Sequence, residues 1–300
     1  MDRGETMNKL QSPVVWTGGK ARIATKIVNA FPDNSSYDVF ADVFTGSSSI
    51  LFAMSPCGHL EVINDRNARL INFWMAVREE AERLQWKLET LPYSSALFKR
   101  YKDSLDRNEE MEMVEAAARW YYVNRGTIAG HIDSDKGWSY TGPQSKILYG
   151  VPSDATGYQN AVALLSIISA RLSKVQIHDW EYAKVIEKYQ SPRTLFYIDS
   201  PYIGSENYYE VDGTPPFTMD DHRKLASLLN KTPAKVALSH YDHPLLDELY
   251  PAENWRRVSW QTNKESSRMN KKLQTAQEVL LMNYEPARAS LWDSFEEATA

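Results

Sequence analysis

Apolar positions along the chain follow two rhythms. Short runs rich in β-branched and aromatic residues at 37–44, 61–65, 175–179, 194–199, 235–239, 255–260 and 278–284 predict strands. Apolar residues recurring every three or four positions predict helices at 23–31, 50–54, from 68 onward, 161–172, 182–189, 220–229 and 245–249. The first predicted strand passes Asp42 and enters a small-residue turn, Thr45-Gly46-Ser47-Ser48-Ser49, while the second ends on Asn64-Asp65. Strand, small-residue turn, helix, then a strand with a terminal acid is the first half of a nucleotide-binding α/β sheet.

From 73 to 122 the pattern is helical only, with abundant charge, and 124–156 is irregular and rich in Gly, Ser, Asp and aromatics. Alternation of helix and strand returns at 161. The chain therefore divides into an α/β core made of 12–72 and 157–287, an inserted, mostly helical domain at 73–156, and tails at 1–11 and 288–300. A long irregular segment inside a compact protein is usually functional.

Composition narrows the partners. The net charge of −5 argues against a protein that coats nucleic acid along its whole surface, though not against a local basic patch. Seventeen Tyr and nine Trp suit flat ligands, although filling a core is their commoner use. The single cysteine, Cys57, excludes an internal disulfide and a thiolate zinc cluster, so no metal is expected, and it fits a reducing cytosol. No apolar run reaches the length of a membrane span, and a cytoplasmic protein is expected.

The segment that carries chemistry is Phe196-Tyr197-Ile198-Asp199-Ser200-Pro201-Tyr202. A strand ending in an acid and a proline-stiffened turn places Asp199, Ser200, Pro201 and Tyr202 at the carboxyl edge of a sheet, where open α/β folds bind ligands. An adenine amino group is a weak nucleophile because its lone pair is delocalised into the ring. Accepting both of its hydrogens frees that pair: Asp199 offers a carboxylate and Ser200 a backbone carbonyl whose direction Pro201 fixes, with Tyr202 to stack on the base. The base has to leave the duplex to reach such a pocket. Taken alone, an acid before a proline turn is more often structural.

The company it keeps makes the chain resemble the Dam-like, or alpha-type, DNA adenine-N6 methyltransferases over residues 14–286. The family's D-P-P-Y turn is matched by Asp199-Ser200-Pro201-Tyr202, and its aromatic-x-G-G-K element by Trp16-Thr17-Gly18-Gly19-Lys20. Asp42-Val43-Phe44-Thr45-Gly46-Ser47, Asn64-Asp65, Tyr121-Tyr122-Val123-Asn124-Arg125, Asp179-Trp180, Ser239-His240-Tyr241-Asp242 and Glu278-Val279-Leu280 follow in the family's order. The resemblance implies a Rossmann-like core, S-adenosyl-L-methionine as cofactor and transfer of its methyl group to the 6-amino group of a flipped adenine. It implies that Trp16 and Lys20 lie at the methionine end of the cofactor, with Lys20 meeting its carboxylate. Phe44 and Gly46 would pack beneath it and Asp42 steady the turn or the amino-acid moiety. Asp65 would accept from the ribose hydroxyls, and Asp179 from the cofactor's adenine amino group, with Trp180 against the ring. Serine replaces the family's first turn proline at position 200, but the backbone carbonyl assigned to that position is retained.

The resemblance also implies that the insertion reads double-stranded DNA, with Asn124, Arg125, Lys136, Trp138, Tyr140 and Lys146 as candidate contacts. A second basic stretch, including Arg256, Arg257, Lys264, Arg268, Lys271 and Lys272, is a candidate phosphate clasp. The loop at 204–216 sits where a lid over the flipped base would be. The expected protein is a monomer, a lone enzyme of phage or prophage origin or one half of a restriction pair. Cytosine-N4 methylation and a silent DNA-binding relative remain the alternatives. A dinucleotide dehydrogenase is disfavoured because the G-x-G-x-x-G fingerprint is missing.

Overall fold

Every strand core reads apolar on both faces, which buries a sheet between two helical layers. In the computed structural model, described here for residues 10–127, 137–139, 154–204, 216–263 and 275–286, seven strands form one sheet. They are β1 (Val39–Asp42), β2 (Leu60–Asn64), β3 (Val175–His178), β4 (Thr194–Ile198), β5 (Lys235–Tyr241), β6 (Arg256–Asn263) and β7 (Thr275–Met282). The order across the sheet is β3-β2-β1-β4-β5-β7-β6. The first five in that row are parallel; β7 pairs antiparallel with β5 and with β6.

Period-two alternation sorts neighbouring residues to opposite faces. Phe40, Leu195, Tyr197, Ala237 and Leu280 join one core; Ala41, Phe196, Ile198, Val236, Leu238 and Leu281 join the other. The first core is covered by α1 (Ala24–Asn29), α2 (Ser49–Ala53), α3 (Ala68–Glu79), α4 (Ala81–Glu89), α5 (Ser95–Asp106), α6 (Met113–Gly126), α7 (Asp154–Val162) and α8 (Leu165–Leu172). The second is covered by α9 (Tyr182–Tyr189), α10 (Met219–Lys231) and α11 (Leu245–Leu249). Two helices stand where the sequence predicts one at 161–172, and β6 and β7 run on into polar residues beyond their apolar stretches.

Among the described residues, the helical segment shares its core with the sheet. Phe73, Trp74, Leu84, Trp120 and Tyr121 belong to the cluster that holds Phe40 and Tyr197 of the sheet, and Phe73 stacks on Tyr121 with centroids 4.9 Å apart. The boundaries expected at 72/73 and 156/157 both fall inside helices, α3 and α7. A bidentate pair of buried side chains, Arg171 with Glu61 at 2.5 and 2.6 Å, ties α8 to β2.

β1 lies between β2 and β4, so the chain leaves it in one direction through β2 and β3 and in the other through β4 and β5. This reversal opens a crevice at the carboxyl ends of β1 and β4, where Asp42 and Asp199 stand.

Candidate active site

The turn after β1 is held by the acid at the end of β2. Gly46 adopts φ +45°, and a Cβ there would stand 2.5 Å from Nε1 of Trp16, so the position admits only glycine. Its N–H donates to Asp65 Oδ2 at 3.0 Å and its carbonyl accepts from Trp74 Nε1 at 3.3 Å. Asp65 Oδ1 accepts from the Asn67 N–H at 3.0 Å, bracing the start of α3. Burial raises the Asp65 carboxyl above its ordinary range, against the two backbone bonds that favour its charge. Buried Asn64 laces the strand ends together: its Nδ2 donates to the carbonyls of Val43 and Trp180, and its Oδ1 accepts from the Trp180 N–H.

A second turn closes the crevice from the N-terminal side. The Gly19 N–H donates to the Trp16 carbonyl at 3.0 Å, and Gly18 takes φ +74°, where a turn of this kind favours glycine. The turn aims Lys20 inward, where it is 6% exposed. Its Nζ donates to the Gly18 carbonyl at 2.7 Å, lies 2.8 Å from Asp199 Oδ1 and 3.7 Å from Glu278 Oε1, and sits 4.9 Å from the centroid of the Tyr202 ring.

Asp199 follows β4 and Tyr202 follows the turn. Burial pushes the Asp199 carboxyl up, while the Lys20 ammonium works to keep it charged. The Tyr202 hydroxyl donates to Glu278 Oε1 at 2.5 Å, and its ring stacks on His240 of β5 at 4.6 Å, with Tyr241 edge-on. His240 Nδ1–H donates to the Tyr241 carbonyl and Nε2 accepts from the Ile203 N–H at 3.0 Å, which fixes the neutral tautomer. Burial accordingly lowers the His240 pKa to about 4.

Trp16, Gly19, Lys20, Asp42, Phe44, Gly46 and Asp199 line one cleft. Asp42 is 1% exposed; Thr45 donates to its Oδ2 at 3.2 Å, and Oδ1 has no hydrogen-bond partner among the described residues. Burial, with the Asp199 charge adding to it, raises the Asp42 carboxyl well above its usual range. An orphaned buried carboxylate oxygen in a cleft is an acceptor suited to a cationic or ammonium-bearing ligand. Asp179 lies at the same sheet edge just beyond β3 and is exposed. Trp180 stacks on His178 at 3.9 Å, and Lys184 Nζ stands 3.9 Å from its ring.

The other residues singled out in the sequence are placed as follows. Lys20 pairs with Asp199 at 2.8 Å. Tyr202 is 4% exposed and its ring stacks on His240. Asn124 is fully buried; its Oδ1 accepts from the Val15 N–H and its Nδ2 donates to the Val15 carbonyl, at 3.0 and 2.8 Å. Arg125 donates to the Gly157 carbonyl at 3.0 Å and to that of Pro13 at 3.4 Å. Trp138 packs among Tyr93, Phe98 and Tyr122. These three residues brace the N-terminal turn and the end of α6. Arg256 pairs with Glu285, and Arg257 with Asp242 and Asp247. Lys136, Tyr140, Lys146, Lys264, Arg268, Lys271, Lys272 and most of the 204–216 loop lie outside the described residues.

Asn124→Ala is therefore expected to cost stability rather than specificity. It strands the Val15 N–H and carbonyl, an effect of about 2 kcal/mol. The thermal midpoint should fall by roughly 5 °C. An unchanged midpoint with a relaxed methylation motif would restore the base-reading role.

Two functional candidates escaped the sequence reading, which noted His240 and Glu278 only as points of likeness. The available signal was a polar side chain within an apolar buried run: His240 in Lys235–Tyr241 and Glu278 in Thr275–Met282.

A mostly parallel sheet with helices on both faces, an acid-lined switch-point cleft and an Asp-Ser-Pro-Tyr edge define a Rossmann-like methyltransferase. Residues 16–264 match the D12 class N6 adenine-specific DNA methyltransferases, and the chain belongs to that family. A type II methyltransferase, M1.LlaDCHI of Lactococcus lactis subsp. cremoris, is 27% identical over 288 residues, covering 90% of this chain and 94% of that protein. The fold, family and reaction implied by the sequence resemblance are thereby borne out: the protein is an enzyme that methylates adenine in DNA. Among the described residues, no helix is long and apolar enough to cross a membrane.

Proposed function

We propose that the methyl donor is S-adenosylmethionine, held in the cleft between the Trp16–Lys20 turn and the carboxyl ends of β1 and β2, and that the acceptor is an adenine flipped from duplex DNA. The observation that carries this reading is the convergence of the orphaned Asp42 carboxylate and the Asp199 edge on one cleft. When bound, the cofactor supplies an electrophilic methyl group on a sulfonium sulfur. Asp42 Oδ1 takes its ammonium group, Trp16 and Phe44 wall its methionine and ribose portions, and Asp65 accepts from the ribose hydroxyls with the lone pairs its two backbone bonds leave over. Asp179 accepts from the cofactor's adenine amino group at the edge of β3.

Asp199 and the Ser200 carbonyl accept the two hydrogens of the target amino group and orient its lone pair. No covalent enzyme intermediate is needed, and the work is positioning and preorganised polarity. Duplex DNA docks across the carboxyl edge of the sheet. The β6–β7 pairing supports this: Asn263 pairs with Thr275 toward the edge where Tyr241 pairs with Glu278, and the sequence between Asn263 and Thr275 carries Lys264, Arg268, Lys271 and Lys272. The protein is taken to act as a cytoplasmic monomer on one short sequence, alone or beside an endonuclease; its likeness to a type II methyltransferase supports the pairing with an endonuclease.

The test is incubation with tritium-labelled S-adenosylmethionine and unmethylated phage DNA, followed by sequencing that resolves N6-methyladenine. Label confined to adenine in one short motif is expected. Cofactor binding without label in duplex DNA would overturn the reading.

A further inference from the structure

We propose that Glu278, at the buried start of the β7–β5 pairing, is a positioning residue for methyl transfer: it shares the Lys20 ammonium with Asp199 and anchors the Tyr202 hydroxyl, leaving the Asp199 carboxylate free to accept from the target amine. The proposal rests on the reading of Asp199 as that acceptor. Its geometry is a closed polar circuit. Lys20 Nζ stands 2.8 Å from Asp199 Oδ1 and 3.7 Å from Glu278 Oε1, and the same Glu278 oxygen accepts from Tyr202 at 2.5 Å. Lys20 and Glu278 are buried while the Asp199 side chain keeps 19% exposure, so the circuit is closed behind Asp199 and open to the cleft at it.

The circuit resolves a conflict in what Asp199 has to do. Burial favours the protonated acid, which would withdraw an acceptor; an ammonium at 2.8 Å opposes that. Yet a lysine paired with Asp199 alone would claim the oxygen that the amine needs. A second carboxylate within reach of the same ammonium lets Lys20 shift toward Glu278 as the base enters, with its charge still compensated. Tyr202 then moves little, because its hydroxyl remains on Glu278 and its ring on His240.

Among the described residues, the groups acting on Asp199 and Glu278 are Lys20 from the N-terminal turn, Asp42 at the end of β1, Tyr197 on β4 and Tyr202 beyond it. His240 of β5 faces the circuit through Tyr202 and is held neutral. Removing the Glu278 charge takes away a competing carboxylate and a neighbouring negative charge. Ionised Asp199 is then favoured, and its pKa falls.

The experiment measures kcat and KM against pH for the intact enzyme with S-adenosylmethionine and duplex DNA, in Glu278→Gln, Glu278→Asp and Lys20→Met. Glu278→Gln should lower kcat roughly ten- to a hundredfold, the scale expected of a displaced catalytic group. Both KM values should stay within about threefold, since ground-state contacts are retained. The acid limb of kcat should move to lower pH in Glu278→Gln and to higher pH in Lys20→Met. Glu278→Asp retains the charge and should keep the limb in place while kcat falls. An acid limb that stays put in Glu278→Gln, or moves upward, overturns the proposal. So does a loss in Glu278→Gln matched by an equal fall in thermal midpoint and active fraction, with the surviving enzyme turning over normally. Asp199→Ala is the separate control: if it retains activity, the acceptor reading fails, independently of what Glu278 does.

Discussion

Asp199→Ala is expected to lower kcat by roughly a thousandfold or more, the upper range for deleting a preorganised polar group at the reacting atom. Cofactor affinity should change by no more than about threefold, because the change removes an interaction made chiefly in the transition state. Lys20 does not become a stranded charge in this variant, since the Gly18 carbonyl at 2.7 Å and Glu278 at 3.7 Å remain. Asp199→Asn separates geometry from charge. Its amide oxygen still accepts a hydrogen bond, though more weakly than a carboxylate, so an intermediate loss is expected. The pH profile distinguishes the variants further. Burial raises the Asp199 pKa above the usual carboxylate range, and protonation removes the acceptor, so wild-type kcat is lost as pH falls through that raised value. Asp199→Asn has nothing to titrate there, and its acid limb should flatten. Full turnover in Asp199→Ala would sink the mechanism.

The sheet and most of its helices were legible because each is a matter of local period. Residues 182–189 and 245–249 have the predicted bounds, and every predicted strand is present. What lengthened β6 and β7 is not hydrophobicity. The ladder from Gln261 with Gln277 to Asn263 with Thr275 is backbone pairing, which leaves no apolar mark in the sequence. The positions of Asp42, Phe44, Gly46, Asp65 and Asp199 at one edge were legible for a related reason: each ends a recognisable strand or opens the turn after it. The partners of these residues were not. Lys20 and Asp199 are 179 positions apart in the chain, and their 2.8 Å contact is a product of the strand order, which periodicity does not encode.

Asn124 and Arg125 show how one residue type serves two ends. Both are residue types that read base edges, and both follow an aromatic-rich helix, but the same donors and acceptors suit backbone amides equally well. The structure gives them Val15, Pro13 and Gly157. A polar residue at the end of a helix whose other residues are buried has to satisfy itself internally before it serves a ligand, and Tyr121, Tyr122 and Val123 just before Asn124 are all buried.

Asp42→Asn is expected to weaken S-adenosylmethionine binding by at least about tenfold, the loss of one charge-assisted hydrogen bond of about 1.5–3 kcal/mol. It should also make the ligand-free protein more stable at alkaline pH. The two effects have one cause. Asp42 Oδ1 is buried without a partner, and Thr45 at 3.2 Å supports only the other oxygen. Its carboxyl therefore has a folded pKa well above the unfolded one, raised first by burial and then by the Asp199 charge. A group shifted in this direction contributes stability while protonated, below its unfolded pKa, and that contribution is lost as pH rises through the folded value. Above the folded pKa the wild-type protein holds a buried charge that the amide lacks. The variant's thermal midpoint should exceed wild type there by a few degrees, about 2–4 °C per kcal/mol for a chain of this size. The gap should close as the pH is lowered and Asp42 takes up its proton. Saturating cofactor should narrow or reverse the order at alkaline pH, because ligation stabilises the protein by an amount that grows with the logarithm of ligand concentration over Kd. Calorimetric binding and melting curves across pH read both effects. Wild-type affinity in Asp42→Asn would remove Asp42 from the cofactor site, and a midpoint below wild type at alkaline pH would show that its charge is compensated before any ligand arrives.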